Sequence, residues 1–241
     1  MPAYQAAKTL LRTLADVPSD WVDDYILVDD ASSDGTAELA RSLGLHVVVH
    51  ERNTGYGGNQ KTCYRTALQR GADIVVMVHP DHQYSPTSIP ELLRLIVEKK
   101  TDAAFGSRML TPGAALAGGM PRWKYLANIA LTKLANVVLG LRLSEYHSGF
   151  RAYHRRVLGA VPFHLNSDDF VFDTEIIVQL RSRNFRIAEA PIPTRYFSDA
   201  SSIGFVASCR YGLSICGVLW CYLLHRWGLR LDRRFAHRGD Q

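Results

Sequence analysis

Residues Ile74 to Pro86 read IVVMVHPDHQYSP. The five apolar residues Ile74 to Val78, mostly β-branched, predict a strand buried on both faces. The run stops at His79, and Asp81, His82 and Gln83 follow at once. In an open α/β sheet, ligands sit in the crevice beyond the carboxyl ends of the strands. A carboxylate there can hold a divalent cation, and the cation a phosphate; the same Asp81 would also serve as a cap for a helix starting near Thr87. The stretch Tyr25 to Thr36, YILVDDASSDGT, repeats the design. A short strand ends in Asp29 and Asp30, and Asp34 and Gly35 precede a helix over Ala37 to Leu43. Three Asp within six residues exceed what capping needs. Together the two clusters point to a ligand gripped at one mouth of the sheet.

Upstream, Pro2-Ala3-Tyr4 runs into a helical pattern at Ala7, Leu10, Leu11 and Leu14, as if a strand ended there and its body, the first strand, were missing. Downstream, His46 to His50 predicts a further strand. The Gly-rich run Asn53 to Lys61 then opens a helix whose amides can approach a phosphate. Its spacing is neither that of a Walker loop nor that of a dinucleotide fingerprint, so a plain tight turn stands beside the phosphate reading. Glu91 to Lys99 reads as an amphipathic helix. Asp102 to Phe105 reads as a strand ending in Gly106-Ser107-Arg108, and the planar fork of an Arg there suits a pyrophosphate. The alternation predicts a parallel, doubly wound α/β sheet over the first 110 residues.

Trp123 to Leu143 predicts a long, mostly apolar helix, explained by core packing or by contact with a lipid acceptor. Asn166 to Asp169 leads into a helix through Leu180, and Arg186 to Ile192 is a last strand with Pro191 marking an edge. Beyond it, the continuous apolar part from Tyr211 to Leu224 is about a dozen residues, short of the roughly 20 that span a bilayer. An interfacial helix followed by snorkelling arginines is expected there. The domain organisation read from this is an α/β domain over 1–202 and an apolar helix with a basic tail over 203–241.

Apolar residues at 47% and charged residues at 21% are those of a globular protein. The net charge is +5, and five Arg against two Asp in the segment from His225 onward supply +3 of it. Such a tail points to an anionic membrane surface. No basic stripe with interleaved aromatics is present elsewhere, so nucleic acid is excluded as a partner. Cys63, Cys209, Cys216 and Cys221 form no C-x-x-C pair and fit no zinc site. Free thiols and a Met1 that leads straight into PAYQAAKTLL, with no secretory leader, predict a cytoplasmic protein at the inner face of a membrane.

The motifs PAYQA, VDDASSDGT, NTGYGGNQKT, HPDHQ, GSR, SGFRAYHRR and EAPIPT occur in this order. Their series resembles the family 2 glycosyltransferases, and is most similar to the dolichol-phosphate mannose synthase type, over about residues 2 to 205. The resemblance implies a GT-A fold: a single nucleotide-binding domain with a mostly parallel sheet. It implies a divalent metal, Mn2+ or Mg2+, and an inverting transfer from a GDP- or UDP-linked sugar. It puts Pro2, Ala3 and Tyr4 beside the nucleotide, Asp29 and Asp30 on base and ribose, and Gly57 to Lys61 near the nucleotide. Asp81 falls at the metal, and Arg108 and Arg151 face phosphates of donor or acceptor. Departures accompany it. His79 replaces the first Asp of the family's Asp-x-Asp, and a neutral imidazole beside Asp81 suits Mn2+ better than Mg2+. Around Arg195 to Ser202 the family's Lys is missing and its Arg out of register.

A polyprenyl phosphate acceptor arrives ionised and needs no base, whereas a hydroxyl acceptor needs a carboxylate to take its proton. Asp168, Asp169, Asp173 and Glu175 are the candidates, with Asp169 preferred. Two classes of function follow: a membrane-associated transferase, or a module that binds a nucleotide sugar without turnover.

Overall fold

The computed structural model describes residues 1–193 and 204–236. The boundary between 202 and 203 and the register of Arg195, Ser201 and Ser202 therefore lie outside the described residues. In chain order the elements are β1 (Pro2–Ala3), α1 (Leu10–Ala15), β2 (Ile26–Asp29), α2 (Thr36–Ser42), β3 (His46–Val49), α3 (Gly55–Gln69), β4 (Ile74–Met77) and α4 (Ile89–Val97). Then come β5 (Ala103–Ser107), α5 (Ala114–Ala117), α6 (Arg122–Leu139), β6 (Arg151–His154), α7 (Arg155–Ala160), α8 (Phe172–Ser182), β7 (Ile187–Pro191) and α9 (Phe205–Arg226).

The strands form two ladders. In one, β1, β2 and β3 are parallel, with Pro2 opposite Val28. In the other the order is β4-β6-β5-β7, and β6 runs antiparallel to both neighbours. The strand end read at Pro2-Ala3 is the two-residue β1. One expectation is corrected: the middle of the second ladder is a strand, Arg151–His154, where the sequence suggested none. Its charged ends hide it, while Ala152 and Tyr153 are fully buried between β4 and β5.

Between the ladders lies a cavity of about 470 Å³. Met1, Val22 and Ile26 form one wall and Ile74 to Val78 the other, with Cys63 and Ala67 of α3 and Ile89 and Leu93 of α4 between them. Helix α3 still joins the halves, because Cys63 and Tyr64 share one apolar core with Val28 of β2 and with Val75 and Met77 of β4. Asp34, just ahead of the Gly35 N-cap of α2, accepts from Thr36 N–H at 3.1 Å and holds the α1 approach by accepting from Ala7 N–H at 3.0 Å.

Helix α9 is 22 residues long, because the helix begins well before the apolar run and accommodates Arg210. Val206–Arg226 is long and apolar enough to cross a membrane, which corrects the expectation that it is too short. One face is nonetheless occupied: Ile215, Leu219 and Tyr222 are buried in the main core, whereas Val206 and Leu213 are 81% and 74% exposed. The tail that follows folds back. Phe235 is fully buried, Arg234 pairs with Glu175 at 2.5 Å, and Arg183 donates to the Ala236 carbonyl at 2.8 Å.

Candidate active site

Two cavities open at the carboxyl ends of the strands and meet at a waist formed by Tyr56, His79, Asp81 and Phe170, which line both. The larger, about 570 Å³, takes Asp30 from the end of β2, Asp81 from the loop after β4, and Pro2, Ala3 and Tyr4. The two acidic clusters read from the sequence thus share a cavity. Gln5 and His82, both on its wall, and Ala31, next to Asp30, adopt positive φ of 53°, 57° and 61°. Non-glycine residues hold that conformation at a cost and cluster where a site demands it.

Asp30 is 3% exposed. Its Oδ1 accepts from the backbone N–H and the hydroxyl of Thr54, both at 2.8 Å, and contacts His50 Nδ1 at 2.7 Å. Its Oδ2 accepts from Gly55 N–H at 3.0 Å. The carboxylate therefore clamps the start of α3 against β2 as well as lining the cavity. Asp29 does not line it: Oδ2 accepts from Ser32 N–H at 3.0 Å, and Oδ1 is buried without a hydrogen-bond partner. Asn59 of α3 closes the floor by donating to the carbonyls of Ala3 and Val28.

Gly57 and Lys61 sit behind this wall. The Gly57 amide donates to the Asp168 carbonyl at 2.6 Å, and a Cβ there would fall 2.4 Å from the Ser167 carbonyl oxygen. Glycine is what lets the 166–169 loop reach the helix. Lys61 Nζ is held by the Asn166 carbonyl and, at 2.7 Å, by Asp168. Both residues build the loop, and neither lines either of these two cavities.

At the waist, Tyr56 stacks on His79 with centroids 5.5 Å apart and on Phe170 at 4.7 Å. Its hydroxyl donates to Asp173 Oδ2 at 2.7 Å. Gly149 faces the pair, and a Cβ on it would lie 2.5 Å from His79 Nε2. Burial pushes the His79 imidazole below its ordinary value, with the carboxylates of Asp81 and Asp173 opposing. The ring is thus a neutral, wedged wall group. Tyr56 was not singled out in the sequence, although an aromatic residue inside a glycine run was the available signal.

The smaller cavity, about 210 Å³, lies between this waist, α6 and α9. Arg108 enters it from the end of β5, its guanidinium and amide both held by Glu145, with Nε at 2.9 Å from Oε1. Burial alone would raise the Glu145 carboxyl, but the Arg108 charge outweighs it and holds the group below the usual range. Arg151 does not reach either cavity. It is 1% exposed, and its guanidinium donates to the carbonyls of Ser148, Tyr146 and Asp173 and lies 3.4 Å from Asp173 Oδ1. It braces β6 against α8. Asp169 is exposed and lines neither cavity, whereas Asp173, one helical turn on, lines the smaller one. The carboxylate of α8 that reaches the site is therefore Asp173, already engaged by Tyr56, Gln60 and Arg151.

Asp81 sits at the meeting point with its Oδ1 accepting from Gln83 N–H at 3.0 Å. Among the described residues no group of three or more His, Cys, Asp or Glu is placed to hold a metal by itself.

The model of the glycosyl transferase family 2 matches residues 1–161. The chain is 29% identical over 243 residues to an undecaprenyl-phosphate mannosyltransferase of Micrococcus luteus, covering 95% of this chain and 96% of that protein. It is 25% identical to a UDP-N-acetylglucosamine–dolichyl-phosphate N-acetylglucosaminyltransferase of Methanococcus voltae, over 81% of this chain and 84% of the relative. Among solved structures, glucosyl-3-phosphoglycerate synthase of Mycobacterium tuberculosis, in complex with Mn2+, UDP and glucosyl-3-phosphoglycerate, superposes with a TM-score of 0.67. That alignment has 19% identity and covers 96% of this chain and 79% of that one, a likeness of fold.

Proposed function

The chain belongs to glycosyl transferase family 2, and from that premise we propose that it moves a sugar from a nucleotide diphosphate, GDP- or UDP-linked, to a polyprenyl phosphate. The observation that carries this is the pair of cavities joined at Asp81. The larger one takes the nucleotide, with Pro2, Ala3, Tyr4 and Asp30 around it. The sugar lies at the waist, and the acceptor enters through the smaller cavity, where Arg108 supplies positive charge.

A divalent cation fits at Asp81. One carboxylate plus diphosphate oxygens and water is a coordination that Mg2+ and Mn2+ accept. His79 does not fit as a second ligand, because its ring is stacked on Tyr56 and its Nε2 faces Tyr56 and Gly149. When bound, the cation offsets the charge of the leaving diphosphate. The chain's own residues orient the donor, and the aromatic waist excludes water from the anomeric carbon. Asp173 is engaged by Tyr56, Gln60 and Arg151 and Asp81 is assigned to the cation, which supports a single inverting displacement. A phosphate acceptor is already ionised and requires no general base.

Exposed apolar side chains on α6 and α9 flank the smaller cavity, with Leu126 65% and Val137 82% exposed. They support peripheral attachment to a membrane beside the acceptor entrance. Because α9 has its other face in the main core, it lies along the surface; crossing the bilayer would strip it from α6 and α8. The free thiols favour the cytoplasmic side.

The test is thermal shift with UDP, GDP and their sugars, with and without Mn2+, followed by transfer to a prenyl phosphate. A shift with one nucleotide and product formation is the expected result. Binding without turnover would leave a sugar-nucleotide binding module, and no shift with any nucleotide would end the transferase reading.

A further inference from the structure

Glu175, on α8, is one of the four carboxylates weighed as a base, yet it lines neither cavity. It is 2% exposed. Its Oε1 is held by the guanidinium of Arg234, which also grips Asp232, with Nε at 3.0 Å from Oδ1 and Nη2 at 2.6 Å from Oδ2. Its Oε2 accepts from the Ser167 N–H at 2.6 Å. Burial raises the Glu175 carboxyl above its ordinary value, with the Ser167 amide and then the Arg234 charge opposing. Removing the guanidinium alone would strand a charge in the core, which costs more than the pair contributes.

The Ser167 amide is where this pair meets the site. Next along the loop, the Asp168 carbonyl accepts from the Gly57 amide at 2.6 Å. Two residues further, Phe170 stacks on Tyr56 at 4.7 Å and lines both cavities. Three residues extend over at most about 10 Å, so the loop is too short to absorb a shift of the Ser167 amide before it reaches the Phe170 ring. The far end of the chain of contacts is fixed as well. Phe235 is fully buried and meets Tyr222 of α9 edge to face at 5.8 Å, and Arg183, at the end of α8, holds the Ala236 carbonyl. Helices α8 and α9 therefore set where Arg234 stands.

Resting on the transferase reading above, we propose that Glu175 and Arg234 are positioning residues for transfer. The tail holds Glu175, Glu175 holds the Ser167 amide, and the loop so fixed keeps Phe170 on Tyr56 and closes the waist against water. Neither residue touches donor or acceptor. With the loop slack, water reaches the anomeric carbon in place of the acceptor. Its oxygen bonds that carbon, the diphosphate leaves with the electron pair of the broken bond, and a proton of the water passes to solvent, giving free sugar.

The experiment compares two double variants of the full chain, Arg234→Gln with Glu175→Gln and Arg234→Gln with Glu175→Met. Both remove the two charges together and strand neither. They differ in one respect: only the Glu175→Gln side chain offers an oxygen to the Ser167 N–H. Sugar transfer to geranyl phosphate and release of free sugar are measured together, with amide exchange over 166–172 and calorimetric titration of UDP and GDP. The Glu175→Gln pair should keep most of the transfer. The Glu175→Met pair should lower the kcat of transfer by about a hundred-fold, the scale of an ångström's misplacement. It should also release a larger share of free sugar and exchange faster over 166–172, with nucleotide affinity unchanged. Equal transfer in the two variants overturns the proposal, since an ion pair that serves stability alone predicts it. So does wild-type exchange over 166–172 in the Glu175→Met pair, a loss confined to nucleotide affinity, or a failure of that variant alone to fold. A wild type that binds neither nucleotide and transfers nothing, while exchange still separates the variants, ends the transferase reading and leaves the link from Glu175 to the loop standing.

Discussion

Replacing Asp30 with Asn keeps the shape of the side chain and removes its charge, so it separates the two jobs the residue combines. Four contacts converge on the carboxylate: Thr54 N–H and Oγ1, His50 Nδ1 and Gly55 N–H. The amide does least harm with its nitrogen toward Gly55, since that N–H also reaches Asn53 Oδ1 at 3.0 Å. One contact is then lost outright and three change from charged to neutral acceptance. With hydrogen bonds to charged groups worth about 1.5–3 kcal/mol and neutral ones about 1, the low end of the sum is about 3 kcal/mol. For a chain of this length that corresponds to a melting point lower by roughly 5–12 °C. Urea melts and scanning fluorimetry without ligand measure it, with nucleotide affinity at a temperature where the variant is folded as the companion reading. A melting point within about 2 °C of wild type would refute the clamp, because four contacts on one carboxylate cannot be weakened without cost if they hold the loop.

Asp81→Asn should lower transfer by about a hundred-fold or more and abolish any Mn2+-dependent thermal shift. Its Oδ1 can still accept from Gln83, so the melting point should hold, and full activity would remove the metal role. The His147 imidazole, pushed to about 4 in the fold against 6.5 ordinarily, takes its proton in the unfolded chain first. Its contribution is complete above about pH 6.5 and is lost as the pH falls toward 4. His147→Gln should flatten that acid limb by about 1.4 kcal/mol per pH unit, seen in urea melts from pH 4.5 to 7.5; parallel limbs would contradict it. Leu213→Glu with Trp220→Glu should cut retention on anionic vesicles by about ten-fold per site without altering the melting point, and undiminished retention would argue against this face as the contact. Removing 226–241 would not make that test cleanly, because Phe235 and Arg234 belong to the folded body.

The alternation of strand and helix and the acidic strand ends were legible because burial on both faces and the abrupt change at Val28 and Val78 are local signals. So was the sharing of a cavity by Asp30 and Asp81, which follows from the parallel order of the strands. The surroundings of Arg151 were not legible, because an Arg in a loop motif gives no sign that backbone carbonyls will surround it. Asp169 and Asp173 lie one helical turn apart, and only the start of α8 at Phe172 decides which of them turns inward. Strand β6 was lost for a related reason: its neighbours in space, β4 and β5, are remote in sequence, and RAYH has no apolar run of its own. At Lys61 a cation beside glycines suggested a phosphate, and its contacts with Asp168 and the Asn166 carbonyl could not be read from the sequence.

The gap between the two ladders has a consequence for how the molecule responds to its donor. Among the described residues, strand β4 has a single hydrogen-bonded neighbour, and only helix, loop and side-chain contacts cross from Met1 and Ile26 to Ile74 and Val78. The nucleotide cavity has walls on both sides of that divide, Pro2 to Gln5 on one and His79 to His82 on the other. A donor seated there would work as a rivet between two plates that otherwise meet through α3, through Thr13 Oγ1 donating to the Pro80 carbonyl at 3.0 Å and through His82 Nε2 against Asp16 at 2.8 Å. Amide exchange along Ile74 to Met77 should slow when both plates are gripped, and a fragment that fills only the base pocket should leave it as fast as in the free protein.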